Sequence, residues 1–323
     1  MAKDVSHYAK IDPAFLADGL FRPRANVKEN IDVRRDFDGG RIRFLGPQLG
    51  AVHQSVLLAL CARTGRDGIH LIGDAKDLRG KQLKLGLTPE QQVIQSIVDD
   101  VDLQETSFSR VDVTAYSLLI DAGLHDNSKD YKRLMDMMTE LASMTVYRTV
   151  GKKGGISRLV SFRHDGDKMV VSLNWRLADA IFGHQNIQVS LHERMQLKSP
   201  ISKILHAWLS AHIRLGRSLM EGQGVMVDTL CKHVWGEDQK SVARDTASKR
   251  RKQVKDALKE INNLDGWIAT VERSKCFVTR PKFLGLLEEM VGTPGEAAEL
   301  IHFGEDPIID EDPEDYDPDF FKS

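Results

Sequence analysis

The chain has 323 residues with an ordinary share of apolar and charged side chains, which excludes collagen, coiled coil and wholesale disorder and predicts about two domains. Its longest apolar run, Val56 to Ala62, is far short of the ~18 residues of a membrane span, and its start has no apolar signal-peptide core, so the expected location is the cytoplasm. The formal net charge of −2 hides an asymmetry: residues 283–323 hold thirteen acids and one lysine, or −12, leaving +10 on residues 1–282, the balance of a basic body that meets a polyanion.

Residues 1 to about 30 lack periodicity and read as an arm. Ile31 to Leu45 alternates in places around Asp38-Gly39-Gly40, the pattern of a β-hairpin. Leu49, Val52, Val56 and Leu60 then share one helical face. Ala115, Leu118, Leu119 and Ala122 predict a short helix ended by Gly123 in a left-handed cap. Asn127 or Ser128 caps a second helix, with Tyr131, Leu134, Met138 and Leu141 on one face. Three β runs follow, Thr145 to Val150, Ile156 to Phe162 and Met169 to Leu173, with a Gly/Lys tip at residues 151–155.

The order repeats further on. Ile201, Ile204, Leu205, Trp208 and Leu209 mark a buried helical face, Val227 to Trp235 a short helix with a turn at Gly236, and about Asp245 to Leu264 a long helix. Its apolar face is Ala247, Val254, Leu258 and Ile261. Two β runs close the pattern, Trp267 to Val271 and Cys276 to Arg280. The expected fold is mainly α with small β wings, an α+β chain of two tandem winged-helix (helix-turn-helix) domains. The expected limits are residues 1–46 for the arm and hairpin, 47–184 and 185–282 for the two domains, and 283–323 for an acidic, disordered tail with Pro307, Pro313 and Pro318 among its acids.

Catalytic signatures are absent. Gly73 and Gly80-Lys81-Gln82 lack the spacing and hydroxyl of a phosphate loop, and Gln196 stands where a His192-Glu193 zinc helix needs its second histidine. Cys61, Cys231 and Cys276 form no CxxC pair, and Asp99, Asp100 and Asp102 read as a solvated loop rather than a magnesium site. The expectation is a binding protein with no catalytic residue, metal or cofactor.

The informative residues are cations. Lys240, Arg244, Lys249, Arg250, Arg251, Lys252, Lys255, Arg273 and Lys275 belong to a stretch of 43 residues, 240–282, that carries +7. Ser248, Lys249, Lys252 and Lys255 face outward on the long helix, Arg250 and Arg251 flank its apolar stripe, and Arg273 and Lys275 lie on the wing. The N-terminal half of such a helix enters the major groove, where Arg reads guanine and Lys neutralises phosphate. Lys129, Lys132 and Arg133, with Arg148, Lys152, Lys153 and Arg158 on the first wing, form a second, weaker candidate surface. The competing reading of that wing is pairing between two copies through a sheet edge.

Residues 228–235 (Asp-Thr-Leu-Cys-Lys-His-Val-Trp), Ser248 to Leu258, Gly266-Trp267 and Val278 to Lys282 resemble the replication initiator protein C family of IncQ-type plasmids, and more distantly the TrfA initiator of IncP plasmids. Gly19 to Arg22, Asp38 to Phe44 and Leu173-Asn174 match the same family, so the resemblance covers about residues 15 to 282. It implies a plasmid replication initiator that binds double-stranded direct repeats (iterons), helps open an adjacent AT-rich segment and leads to loading of a helicase that is another protein. It places DNA contact on Lys249, Arg250 and Arg251. The acidic tail departs from the family pattern and reads as solubilising. A transcriptional repressor is the alternative, told apart by a palindromic target.

Overall fold

Strand alternation with one buried face organises the first half of the protein. The computed structural model describes residues 8–37, 40–73, 106–183 and 186–282. The tail read as disordered, the Asp99 to Asp102 loop and the hairpin tip at Asp38 and Gly39 lie outside the described residues. In β3 (Asn26–Phe37) and β4 (Gly40–Gly50), Ile31, Ile42 and Phe44 point inward while Asp32, Arg34, Asp36 and Arg41 point to solvent, the period of two expected of a half-buried sheet. β4 also pairs with β7 (Thr145–Val150), which pairs with β8 (Lys153–Arg158), and β2 (Phe21–Arg22) joins β4 in parallel, giving five strands.

A second sheet has the order β5 (Ile69–Gly73), β6 (Thr106–Thr114), β10 (Lys168–Leu173), β9 (Val160–Asp165). Helix α1 (Ala51–Asp67) is buried along most of its length around the apolar run Val56 to Ala62, and its last turn from Gly65 to Asp67 is exposed. α2 (Ala115–Asp121) is closed by Gly123 at φ 70°, and α3 (Ser128–Ser143) is capped by Asn127, whose Oδ1 accepts the Asp130 N–H at 2.9 Å. Leu134, Met138 and Leu141 of α3 are fully buried, worth about 1.5–3 kcal/mol each. α4 (Trp175–Phe182) leads to the second half.

That half begins with β11 (Ile187–Ser190) and the short α5 (Leu191–Gln196). α6 (Pro200–His212), α7 (Val227–Trp235) and α8 (Arg244–Ile261) pack on one another beside a three-stranded sheet, in the order β12 (Val225–Met226), β14 (Lys275–Thr279), β13 (Ile268–Glu272). α7 ends at Gly236, left-handed at φ 73°.

The segment read as an arm is structural. β1 (Tyr8–Ile11) pairs antiparallel with β11, and Phe15, Leu16 and Leu20 are buried. Asp12 caps the turn at Pro13–Leu16 and pairs with Arg176 of α4. The apolar core runs without a break from Ala9 to Val278. Two buried guanidiniums stitch it where polar backbone would otherwise lack partners. Arg194 donates to the Ala51 carbonyl at 3.2 Å, to Gln54 Oε1 at 2.8 Å and to the Lys203 carbonyl. Arg280 donates to the Ser210 and Gln188 carbonyls at 2.8 and 2.7 Å.

The expected fold class is therefore corrected. Most of the local elements stand, although the run Ile156 to Phe162 is divided between β8 and β9 and Leu49 lies in β4 rather than on the helix. But fourteen strands in four sheets among the described residues make this an α+β protein with substantial sheet, not a mainly α chain with small wings. Nor is the tandem winged-helix architecture found. The ribbon read as the first wing is not a free hairpin: β7 lies between β4 and β8 inside the five-stranded sheet, and β9 and β10 belong to a different one. The physical reason is the amino-terminal segment, whose long hairpin supplies edges that the ribbon pairs with. Among the described residues, no helix is long and apolar enough to cross a membrane.

Candidate nucleic-acid interface

Helix α8 presents its cations in two different ways. Its buried residues are Ala247, Val254, Ala257, Leu258 and Ile261. Arg244, Ser248, Lys249 and Lys252 are exposed on the opposite side, and Lys255 is half-buried at its edge. Arg250 and Arg251 turn instead toward α7. Arg251 forms a two-pronged pair with Asp228, Nε to Oδ1 at 2.6 Å and Nη2 to Oδ2 at 2.9 Å. Arg250 donates to Glu237 Oε2 at 3.1 Å and lies 5.1 Å from the centre of the Trp235 ring. The bond to Arg251 holds the Asp228 carboxyl below its usual range and raises the guanidinium. The basic run of residues 249–252 is thus split by helical geometry, two lysines outward and two arginines braced on acids.

The β13–β14 hairpin ends in Arg273 at φ 54°, a left-handed residue that brings Arg273 and Lys275 to the tip, both exposed. Lys240 is exposed in the turn Gln239–Ser241 just before α8, where its N–H donates to Asp238. These and the outward α8 side chains are exposed on consecutive elements of the second half.

The first-half candidates divide. Lys129, Lys132 and Arg133 are exposed on one face of α3, at the i, i+3, i+4 spacing of helical neighbours. Lys152 is exposed at the β7–β8 turn, and the side chain of Lys153 lies outside the described residues. Arg158 is exposed but braced, donating to the Ser143 carbonyl at 3.1 Å and to Thr145 Oγ1 at 2.9 Å. Arg148 is not brought to the others. It points to the inner face of its sheet, its guanidinium 4.5 Å from the Trp175 ring centre and 5.8 Å from that of Phe37, and burial lowers its pKa.

Sequence reasoning missed the acids that hold the arginines, Asp228 and Glu237. The available signal was their position in the first turn of α7 and just past its end. It also missed the solvent face of β3 and β4, where Arg34 and Arg43 share Asp32 and Arg41 pairs with Asp36. Among the described residues no group of three or more His, Cys, Asp or Glu side chains is arranged to hold a metal ion.

A family model described as replication protein C (RepC) matches residues 2–282. Among solved structures, the crystal structure of selenomethionine derivatives of domains 2 and 3 of RctB is similar, with a TM-score of 0.49 and 9% identity over 84% of this chain and 98% of that one. Comparison with curated protein sequences gives no match.

Proposed function

The chain belongs to the replication protein C family, and from that premise we propose that it is a non-catalytic initiator that binds the direct repeats of a plasmid origin. The observation that carries this reading is the exposed row Arg244, Ser248, Lys249 and Lys252 on α8, opposite the buried face of that helix, with Arg273 and Lys275 exposed on the hairpin that follows. A helix so presented suits the major groove, and the hairpin tip suits an adjoining phosphate. Lys129, Lys132 and Arg133 on α3, with Lys152, supply a second contact along the same duplex. Arg250 and Arg251 support the reading helix rather than the DNA.

Binding is the whole chemistry. If about eight phosphates are neutralised, log K falls with log salt at a slope of about −7. Several copies on adjacent repeats bend the duplex, and the strain favours melting of a flexible AT-rich neighbour. The opened segment then receives a helicase supplied by another protein. The site of action is the bacterial cytoplasm, on plasmid DNA.

The test is fluorescence anisotropy with a duplex carrying one direct repeat from the chain's own origin and a shuffled duplex, over several salt concentrations. The expected result is repeat-dependent binding that Lys249→Ala with Lys252→Ala weakens, with a salt slope lower by about 1.8. Equal, weak binding to both duplexes would sink the repeat-binding reading. Permanganate reactivity of supercoiled origin DNA tests opening, which fails as an idea if no protein-dependent signal appears.

A further inference from the structure

Resting on the DNA-binding reading, we infer that Asp228 and Glu237 are positioning residues that set the sequence selectivity of α8 without meeting DNA themselves. Arg250 and Arg251 are consecutive, so their side chains leave α8 about 100° apart. One reaches a carboxylate in the first turn of α7, the other a carboxylate just past its last residue. Nine residues of α7 span about 13 Å, so α8 is gripped at both ends of its neighbour.

The grip falls where packing is weakest. Four of the five buried residues of α8, from Val254 to Ile261, lie in its C-terminal half. That half is also fixed by Glu260, whose carboxylate accepts from the Ser199 N–H at 3.2 Å and from the Lys198 N–H and the Ser202 hydroxyl. The N-terminal half has only Ala247 in the core, and a single methyl group does not stop a helix from rolling. All the exposed cations from Arg244 to Lys252 stand on that half. The two ion pairs are its rotational anchors, and the Arg250 side chain, 15% exposed over Trp235, is the more enclosed of the two.

A small roll matters unequally to the two kinds of contact. Base edges accept a donor only in a narrow geometry, whereas a lysine follows a phosphate over several ångströms. Loosening the clamp therefore lowers discrimination between sequences more than it lowers overall attraction. Removing a carboxylate next to a polyanion site also takes away a repulsion, so binding to unrelated DNA holds or rises.

The experiment compares the full chain with its Asp228→Asn and Glu237→Gln variants and with the exchanged pair Asp228→Arg with Arg251→Asp. Each is titrated against the one-repeat duplex and its shuffled counterpart, with thermal melting to confirm folding. The expected result is a fall of tenfold or more in the repeat-to-shuffled affinity ratio for each single variant, unchanged or tighter binding to the shuffled duplex, and partial recovery of the ratio in the exchanged pair. An equal loss on both duplexes, an unchanged ratio, or an exchanged pair no better than Asp228→Asn would overturn the inference. If the unaltered chain fails to distinguish the two duplexes, the repeat-binding reading falls first and takes this inference with it.

Discussion

Gly19 and Gly236 meet backbone to backbone, one in the amino-terminal segment and the other at the end of α7. A Cβ on Gly19 would lie 2.6 Å from the Gly236 Cα, and both residues are left-handed, at φ 71° and 73°. The Gly19 N–H donates to the His233 carbonyl at 2.8 Å, and His233 Nδ1 bonds Asp18 at 2.9 Å. Only glycine satisfies both the close approach and the positive φ. Gly19→Ala is expected to cost about 2 kcal/mol or more, since left-handed strain alone costs about 1–2 kcal/mol. Urea unfolding checks it; an unchanged midpoint would refute the contact.

The division of the basic run on α8 predicts two classes of variant. Lys249→Ala and Lys252→Ala each remove a phosphate contact, so each lowers the salt slope of DNA binding by about 0.9 and leaves the melting temperature in place. Arg250→Ala leaves Glu237 without its partner and uncovers Trp235, so it lowers the melting temperature. Anisotropy and thermal melting on the same samples separate the two. A lysine variant that melts early while keeping its slope would contradict the assignment.

Arg194 has four acceptors, Ser55 Oγ, the Ala51 and Lys203 carbonyls and Gln54 Oε1, and none is a carboxylate. Burial brings its pKa down to about 9, so it stays charged at neutral pH. Truncation to Ala strands several buried acceptors, at a cost of about 3 kcal/mol or more. Lysine cannot copy the planar fork, so Arg194→Lys is expected to recover less than half of the loss in chemical denaturation. Full recovery by lysine would show that charge alone matters there.

Acid weakens the protein through neutral histidines, His206 and His233 buried and His212 half-buried. Burial lowers His212 to about 4, although its Nδ1 donates to the Trp208 carbonyl at 2.8 Å. Burial also lowers His206 and His233, against the pull of Glu193 and Asp18. A histidine with a depressed folded pKa takes up its proton more readily when unfolded, so its stabilisation is complete above pH ~6.5 and drains as pH falls toward 4. His212 alone accounts for about 2 kcal/mol between pH 7 and 5. Melting temperatures over that range are expected to fall, and His212→Gln to flatten the fall. A flat profile in the unaltered protein would rule this out.

What the sequence shows plainly is local. Gly123, Asn127 and Gly236 announce helix ends because their special conformations and side-chain caps involve residues only a few positions away. The apolar spacing of Leu134, Met138 and Leu141, or of Val254, Leu258 and Ile261, is equally self-contained. Pairings over long separations left no such mark. β1 finds β11 some 180 residues later, so a segment without periodicity reads as an arm. Arg148 looks like a wing cation until Trp175 takes its guanidinium. On α8 the run Lys-Arg-Arg-Lys appears uniform, and only the acids 13 and 23 residues upstream divide it.

The β1–β11 pairing also governs when the molecule can be finished. Domains fold as the chain emerges during synthesis, at about 5–20 residues per second, but Tyr8 must wait for Ser190 and Gly19 for Gly236. Residues 8 to 20 are therefore made well before their partners and are among the last to find their places. Until the ribosome has delivered α7, Phe15, Leu16 and Leu20 have no complete core to enter. Closure of that strap is a late, long-range event, and the order of synthesis makes it depend on the second half being present.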